Sequence, residues 1–177
     1  MAAPSGSAPS PALPIAYAAL RILIVVNWLV GAGIIGLLAV MPHKQWILTA
    51  LKLSSSPDAD LVIMGLRAVA LLGLVGVGLN YFVLRRLLAI VQAVRAGEPF
   101  AAANAQHLQA IAWALLFLQV LSIIVGAIAK AISSPAHPIH LDAGVSLPGW
   151  LAVVLTFVLA RVFAEGALMR EDLEGTV

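Results

Sequence analysis

Arg85-Arg86-Leu87-Leu88-Ala89-Ile90-Val91-Gln92-Ala93-Val94-Arg95-Ala96-Gly97-Glu98-Pro99-Phe100, running on through three alanines to Asn104, is the stretch whose reading decides the fold. It lies between two long apolar segments and holds three of the chain's seven arginines. Good helix formers fill Arg85 to Ala96. Gly97 then stands where a helix C-terminal cap belongs, and Pro99 follows where a helix cannot continue. The spacing therefore predicts a helix leaving an apolar span, a tight turn, and a second helix returning. A connection this polar pins both helices to one side of a bilayer.

The composition makes the bilayer the natural solvent. Of 177 residues, 62% are hydrophobic and only 10% charged, with a mean hydropathy of +1.05. Soluble domains carry roughly 25% charged residues. There is no cysteine, which excludes disulfides and thiolate metal sites. The net charge of +2 comes from few residues and bears on topology. No basic patch interleaved with exposed aromatics is present, so direct nucleic-acid binding is not expected.

Working outward, residues 1–14 are rich in Ala, Pro and Ser and uncharged. Lacking the basic region of a secretory signal, they read as a disordered leader to one four-helix transmembrane domain at 15–177. The first span is expected over 15–41, with Arg21 near its start and Gly31, Gly33 and Gly36 in its second half, ended by Pro42. From Arg21 it has about 20 residues, enough for a hydrocarbon core of roughly 30 Å. His43 to Asp60 reads as a loop with an interfacial piece anchored by Trp46, then a turn at Ser54 to Asp58. The second span is expected over 61–84, with Gly73, Gly76 and Gly78, and its helix carries on into the quoted stretch. Glycines at such spacings admit close helix approach, and they are also common in membrane helices generally. The third helix is expected from about Ala101 to Ile132, with its span at 108–132 and its surplus at the Asn104, Gln106, His107 and Gln109 end. Ser133 to Pro148 reads as a second loop, with Pro135, Pro138, Gly144 and Pro148 as breakers. The fourth span is expected over 147–164, its helix continuing past Arg161, Glu165 and Met169 into a polar tail.

The expected fold is thus an all-α bundle of four transmembrane helices with a helical hairpin extension between helices two and three. Arg21, Arg85, Arg86, Arg95, Arg161 and Arg170 fall on one side, against Lys44, Lys52, Arg67 and Lys130 on the other. The positive-inside rule makes the arginine-rich side cytoplasmic, with both termini and the hairpin.

Few residues invite chemistry. Arg67, about 9 Å into its span at the usual rise, either snorkels, pairs with Asp58, Asp60 or Asp142, or serves a ligand. Asn27, Asn80, Gln119 and Ser122 are suited to interhelical hydrogen bonds. No Asp or Glu lies mid-span, which argues against proton-coupled transport and intramembrane acid–base catalysis. His137, His140 and Asp142 in one loop, with His43 in the other, are weak candidates for a divalent metal, at spacings that match no strong motif. No Gly-X-Ser-X-Gly elbow and no phosphate-binding glycine loop occurs. The expectation is a protein that is not an enzyme and that holds no cofactor.

Two stretches carry a family resemblance. Arg95-Ala96-Gly97-Glu98-Pro99-Phe100, then Asn104, His107-Leu108 and Ile111-Ala112-Trp113, resembles the hairpin signature of the bacterial membrane family catalogued as domain of unknown function 2975. The ending from Val162-Phe163-Ala164-Glu165-Gly166 through Arg170-Glu171-Asp172-Leu173-Glu174 to Thr176-Val177 resembles its C-terminal signature, a Phe-X-X-Gly helix leading into an acidic segment. The resemblance covers roughly Arg67 to the end. This chain departs at the turn, where Ala101, Ala102 and Ala103 replace the family's side-chain cap and acidic residue. The basic residues that commonly follow the Asn are thinned to Gln106, His107 and Gln109.

The resemblance implies a multi-pass protein of the bacterial cytoplasmic membrane with no established activity. Members are often encoded beside a small helix-turn-helix regulator. That implies a regulatory or interaction protein whose cytoplasmic face engages such a regulator through the hairpin tip (Arg95, Gly97, Glu98, Pro99, Phe100, Asn104) and the tail (Glu165, Gly166, Asp172). Arg85, Arg86 and Arg95 are expected to face the acidic tail or anionic lipid headgroups. The alternative is a membrane-embedded binder or carrier of a small or lipidic ligand, using Arg67 and the glycine-lined faces of spans one and two. Oligomeric state is not readable from the residues.

Overall fold

In hydrocarbon a backbone must satisfy its own N–H and C=O groups, and an uninterrupted apolar run does so as a helix. A computed structural model describes residues 12–40, 59–133 and 143–174 of the protein. Within them lie four helices, α1 (Ala12–Val40), α2 (Ala59–Arg95), α3 (Ala102–Ile132) and α4 (Leu147–Glu174). All four are long and apolar enough to cross a membrane. The expected loop features at His43, Trp46 and Ser54 to Asp58, and the group His137, His140 and Asp142, lie outside the described residues.

Helix α1 begins at Ala12, three residues before the expected span, and so includes Leu13 and Pro14. Pro14 is tolerated there because the first N–H groups of a helix have no intrahelical partner to lose. Helix α2 is continuous for 37 residues, through Arg85 and Arg86 to Arg95. At about 1.5 Å per residue that is roughly 55 Å, well beyond a hydrocarbon core of roughly 30 Å.

Every neighbouring pair runs antiparallel. On α1 and α2, Trp28 meets Tyr81 edge to face at 5.5 Å, and a Cβ on Gly31 would lie 3.1 Å from Val77 Cγ1. Gly73 faces Ile34 in the same seam, while Gly76 turns to Leu121 of α3. Gly33, Gly36 and Gly78 face open space, so only some of the expected glycine faces are packing faces. On α2 and α3, Val83, Ile111 and Ala114 form a small core with Leu87, Ile90 and Leu115 against it. Trp113 of α3 meets Phe157 of α4 edge to face at 5.4 Å.

The packing follows chain order: α1 on α2, α2 on α3, α3 on α4, with no substantial α1–α4 seam. The expected bundle is thus an open row among the described residues. Apolar outer faces explain why closure is not compelled, since lipid tails solvate them as well as another helix does. Ile22, Leu29, Leu37 and Trp28, the last 60% exposed, line such a face of α1.

Helix α4 is offset along this row. Before it starts, Gly144 (φ +138°) donates its N–H to Ser122 Oγ at 3.1 Å. That hydroxyl in turn donates to the Gly144 carbonyl at 3.2 Å, and Gln119 Nε2 donates to the Ser146 carbonyl at 3.2 Å. Ser122 lies roughly 15 Å inside the end of α3, so α4 begins partway along α3 and covers only the half nearest the turn. It then extends beyond the turn, placing the α2–α3 connection against its flank.

Candidate functional site

The connection from Arg95 to Asn104 is built by its own backbone. Gly97 takes the left-handed conformation (φ +85°) that a helix-ending glycine adopts without a Cβ penalty. Its N–H donates to the Val94 carbonyl at 3.1 Å, and the Glu98 N–H donates to the Ala93 carbonyl at 3.0 Å. These are the paired bonds of a Schellman cap, which satisfy carbonyls left open at a helix end. Pro99 then prevents the helix from resuming.

Helix α3 starts at Ala101 with no side-chain cap, as the three alanines imply. Its first turn is tied down from inside. Asn104 is 1% exposed. Its Nδ2 donates to the Pro99 carbonyl at 3.0 Å and to the Glu98 carbonyl at 3.3 Å. One buried amide thus closes the turn that a capping hydroxyl would otherwise help to close.

Phe100 leaves this turn and reaches α4. Its ring lies 5.6 Å from that of Phe163, tilted by 38°. A Cβ on Gly166 would come within 3.1 Å of Phe100 Cδ1. Phe163 and Gly166 are three residues apart, hence on one helix face, and together they form a seat for the turn's aromatic. The Gly-X-Pro-Phe turn and the Phe-X-X-Gly helix, two separate stretches of sequence, are two halves of one contact. Beside it runs a groove of about 500 Å³ between α3 and α4, lined by Gln106, Gln109, Arg161, Ala164 and Leu168 among others.

The antiparallel row brings Arg21, Arg85, Arg86, Arg95, Arg161 and Arg170 to this end of the molecule. Among the described side chains, Glu165 does not pair with Arg85, Arg86 or Arg95. Glu165 accepts from Arg161 Nε at 2.9 Å within α4, a pair that is 77% and 55% exposed and contributes little. Arg85 lies over Tyr81 at 6.0 Å and Arg86 over Phe82 at 4.8 Å. Arg86 Nη1 also donates to His107 Nδ1 at 2.8 Å. Arginine has no acceptor, so this imidazole is neutral, with its proton on Nε2. Arg95 lies over Tyr17 of α1 at 5.2 Å. Pairing of Arg85, Arg86 or Arg95 with Glu165 is therefore not formed. A carboxylate one helical turn from Arg161 is taken locally, and the open row gives α4 no substantial seam with α2, which carries the other three arginines. The side chains of Glu171, Asp172 and Glu174 lie outside the described residues.

Arg67 is exposed near the start of α2. An open groove of about 530 Å³ between α1 and α2 is lined by Asn27, Asn80, Gly73 and Gly76 among others, without Arg67. The structure does not bring together the two features that a ligand carrier was expected to combine. Asn27 Nδ2 donates to the Val77 carbonyl at 3.1 Å, an interhelical bond of the expected kind. Gln119 and Ser122 serve loop backbone rather than another helix.

Tyr17 is a functional candidate that sequence reading missed. The signal available was its place one helical turn before Arg21. The link to Arg95 depends on how α1 docks, which no local pattern records.

A family model described as Protein of unknown function (DUF2975) matches residues 17–177, and the chain belongs to this family. The match takes in α1 from Tyr17 onward and the other three helices whole. No curated protein and no solved structure matches the chain.

Proposed function

We propose that the protein is a non-enzymatic integral membrane protein of the bacterial cytoplasmic membrane. Its hairpin tip and the emerging end of α4 act together as a cytoplasmic docking surface for a small helix-turn-helix regulator. The observation that carries this reading is the seat of Phe100 on Phe163 and Gly166. It fixes a turn and a helix end, far apart in sequence, as one surface beside a groove with both amide and apolar lining. A loop needed only to reverse the chain has no use for an anchored aromatic. The gathering of arginines at the same end supports a cytoplasmic placement, with both termini on that side.

Co-purification tests the reading. Mild detergent extracts of cells expressing the tagged full chain are expected to retain a small DNA-binding protein, and deletion is expected to change transcripts of neighbouring genes. Extracts that never retain one, together with unchanged transcripts, remove the proposal. Loss of retention in Gly166→Leu, with unaltered membrane insertion, would assign the docking to this seat.

A further inference from the structure

At the α1 edge of the same end, two cations converge on one phenol. Arg21 donates to Tyr17 Oη from Nε at 3.2 Å and from Nη2 at 2.9 Å. Its guanidinium carbon also lies 5.4 Å from the Tyr17 ring centroid. Arg95, arriving from the end of α2, lies 5.2 Å from the same centroid. Both arginines are exposed, while Tyr17 is half-buried.

A ring face attracts a cation, but the gain at an exposed site is only about 0.5–1 kcal/mol, and two guanidiniums brought together repel. In most folded chains a carboxylate would settle such a pair. Here neither arginine has a carboxylate partner among the described residues. Glu165 is committed to Arg161 on α4, and α4 makes no substantial seam with α1. A guanidinium has five N–H donors in a planar fork. Attraction between a cation and a ring spends none of those N–H donors on the ring. Arg21 spends two nitrogens on the phenol and keeps Nη1. The pair therefore offers several outward N–H donors, held by one rigid ring, with no carboxylate among the described residues to take them.

Position narrows the anion. Arg21 is followed directly by the apolar run Ile22-Leu23-Ile24-Val25-Val26, so the pair lies where an apolar helix leaves its hydrocarbon layer. Planar donor forks in that setting match a phosphate oxygen pair. We propose that Tyr17, Arg21 and Arg95 form a clamp for the phosphate of an anionic phospholipid headgroup. Tyr17 sets the separation and angle of the two guanidiniums, and Arg95 makes the clamp depend on α1 docking against α2. This site does not rest on the regulator reading, because it lies at the opposite edge of the row from the groove on α4.

The test uses the full chain in nanodiscs of phosphatidylcholine with and without phosphatidylglycerol, read by native mass spectrometry for retained lipid and by thermal unfolding. The natural chain is expected to retain phosphatidylglycerol in preference to phosphatidylcholine and to unfold at higher temperature when it is present. Arg21→Gln with Arg95→Gln is expected to lower that preference roughly 30-fold, the loss for two basic contacts at an anionic surface. Arg21→Lys with Arg95→Lys keeps the charge but not the fork, and is expected to lose most of the preference as well. Tyr17→Phe keeps the ring and is expected to fall between. Full preference in the lysine pair would overturn the clamp in favour of diffuse charge attraction. Inorganic phosphate at the headgroup concentration is expected to leave the unfolding temperature unmoved in pure phosphatidylcholine. An equal rise with free phosphate would overturn the lipid assignment.

Discussion

Among the described residues, two places where the backbone leaves helical geometry solve the same problem in opposite ways. Between Arg95 and Asn104 the chain closes on itself, through the Gly97 cap and the Asn104 amide, then plants Phe100 on α4. Between Ala143 and Ser146 it borrows donors and an acceptor from α3, using Ser122 and Gln119. The difference follows from surroundings. A turn at the end of two long helices satisfies its carbonyls locally and spends its side chain on docking. A non-helical strand laid along an apolar helix must be hydrogen-bonded by that helix. Polar residues inside apolar helices are thus not all of one kind: Ser122 and Gln119 serve a loop, and Asn27 serves a helix.

Changes at Asn104 should break this contrast most severely. Asn104→Asp places acceptor oxygens against the Glu98 and Pro99 carbonyls in a buried site, and more than about 3 kcal/mol of stability should be lost. Asn104→Ala removes only the donors and should cost about 1–3 kcal/mol. Thermal unfolding in detergent measures both. Equal effects of the two would show that the amide's donation is not what holds the turn.

Phe100→Ala and Gly166→Leu come next, at about 1–2 kcal/mol each for a half-exposed aromatic contact. Combined, they should cost much less than their sum, since either alone empties the seat. Additive costs would mean that the two residues act apart.

Ser122→Ala should cost about 1 kcal/mol and act at the other region. Hydrogen exchange should quicken at Gly144 while the tip stays protected, and Asn104→Ala should do the reverse. Protection changing at both ends in either variant would show that the two regions are one cooperative unit. The smallest effect expected is from Gly97→Ala, a little under about 1 kcal/mol for a side chain forced into the left-handed region.

Much of the fold was legible in the residues. Apolar runs of span length gave four helices, and Arg85 to Ala96 signalled that α2 continues as helix to Arg95. Gly97 before Pro99 marked the cap. These are local signals, set by hydropathy and backbone sterics. The offset of α4 was not legible, because nothing in Leu147 to Ala164 states where along α3 it docks. Nor was the open row, since apolar outer faces read alike for lipid and for a fourth neighbour. At the site, Phe100, Gly166 and Asn104 stood out as separate motif residues, but their meeting is a property of tertiary packing. Glu165 goes to Arg161 rather than to a tip arginine for a related reason: side alone does not fix distance, and Arg161 is one turn from Glu165.

The proposed cytoplasmic placement of the hairpin tip and the α4 end can be tested directly, because the chain has no cysteine. Glu98→Cys introduces a single thiol at an exposed tip position, to be labelled by a membrane-impermeant maleimide. Labelling is predicted in inside-out vesicles and not in intact cells, with Lys130→Cys, in the last turn of α3 at the opposite end, as the reverse control. Labelling of Glu98→Cys from outside intact cells would contradict the account.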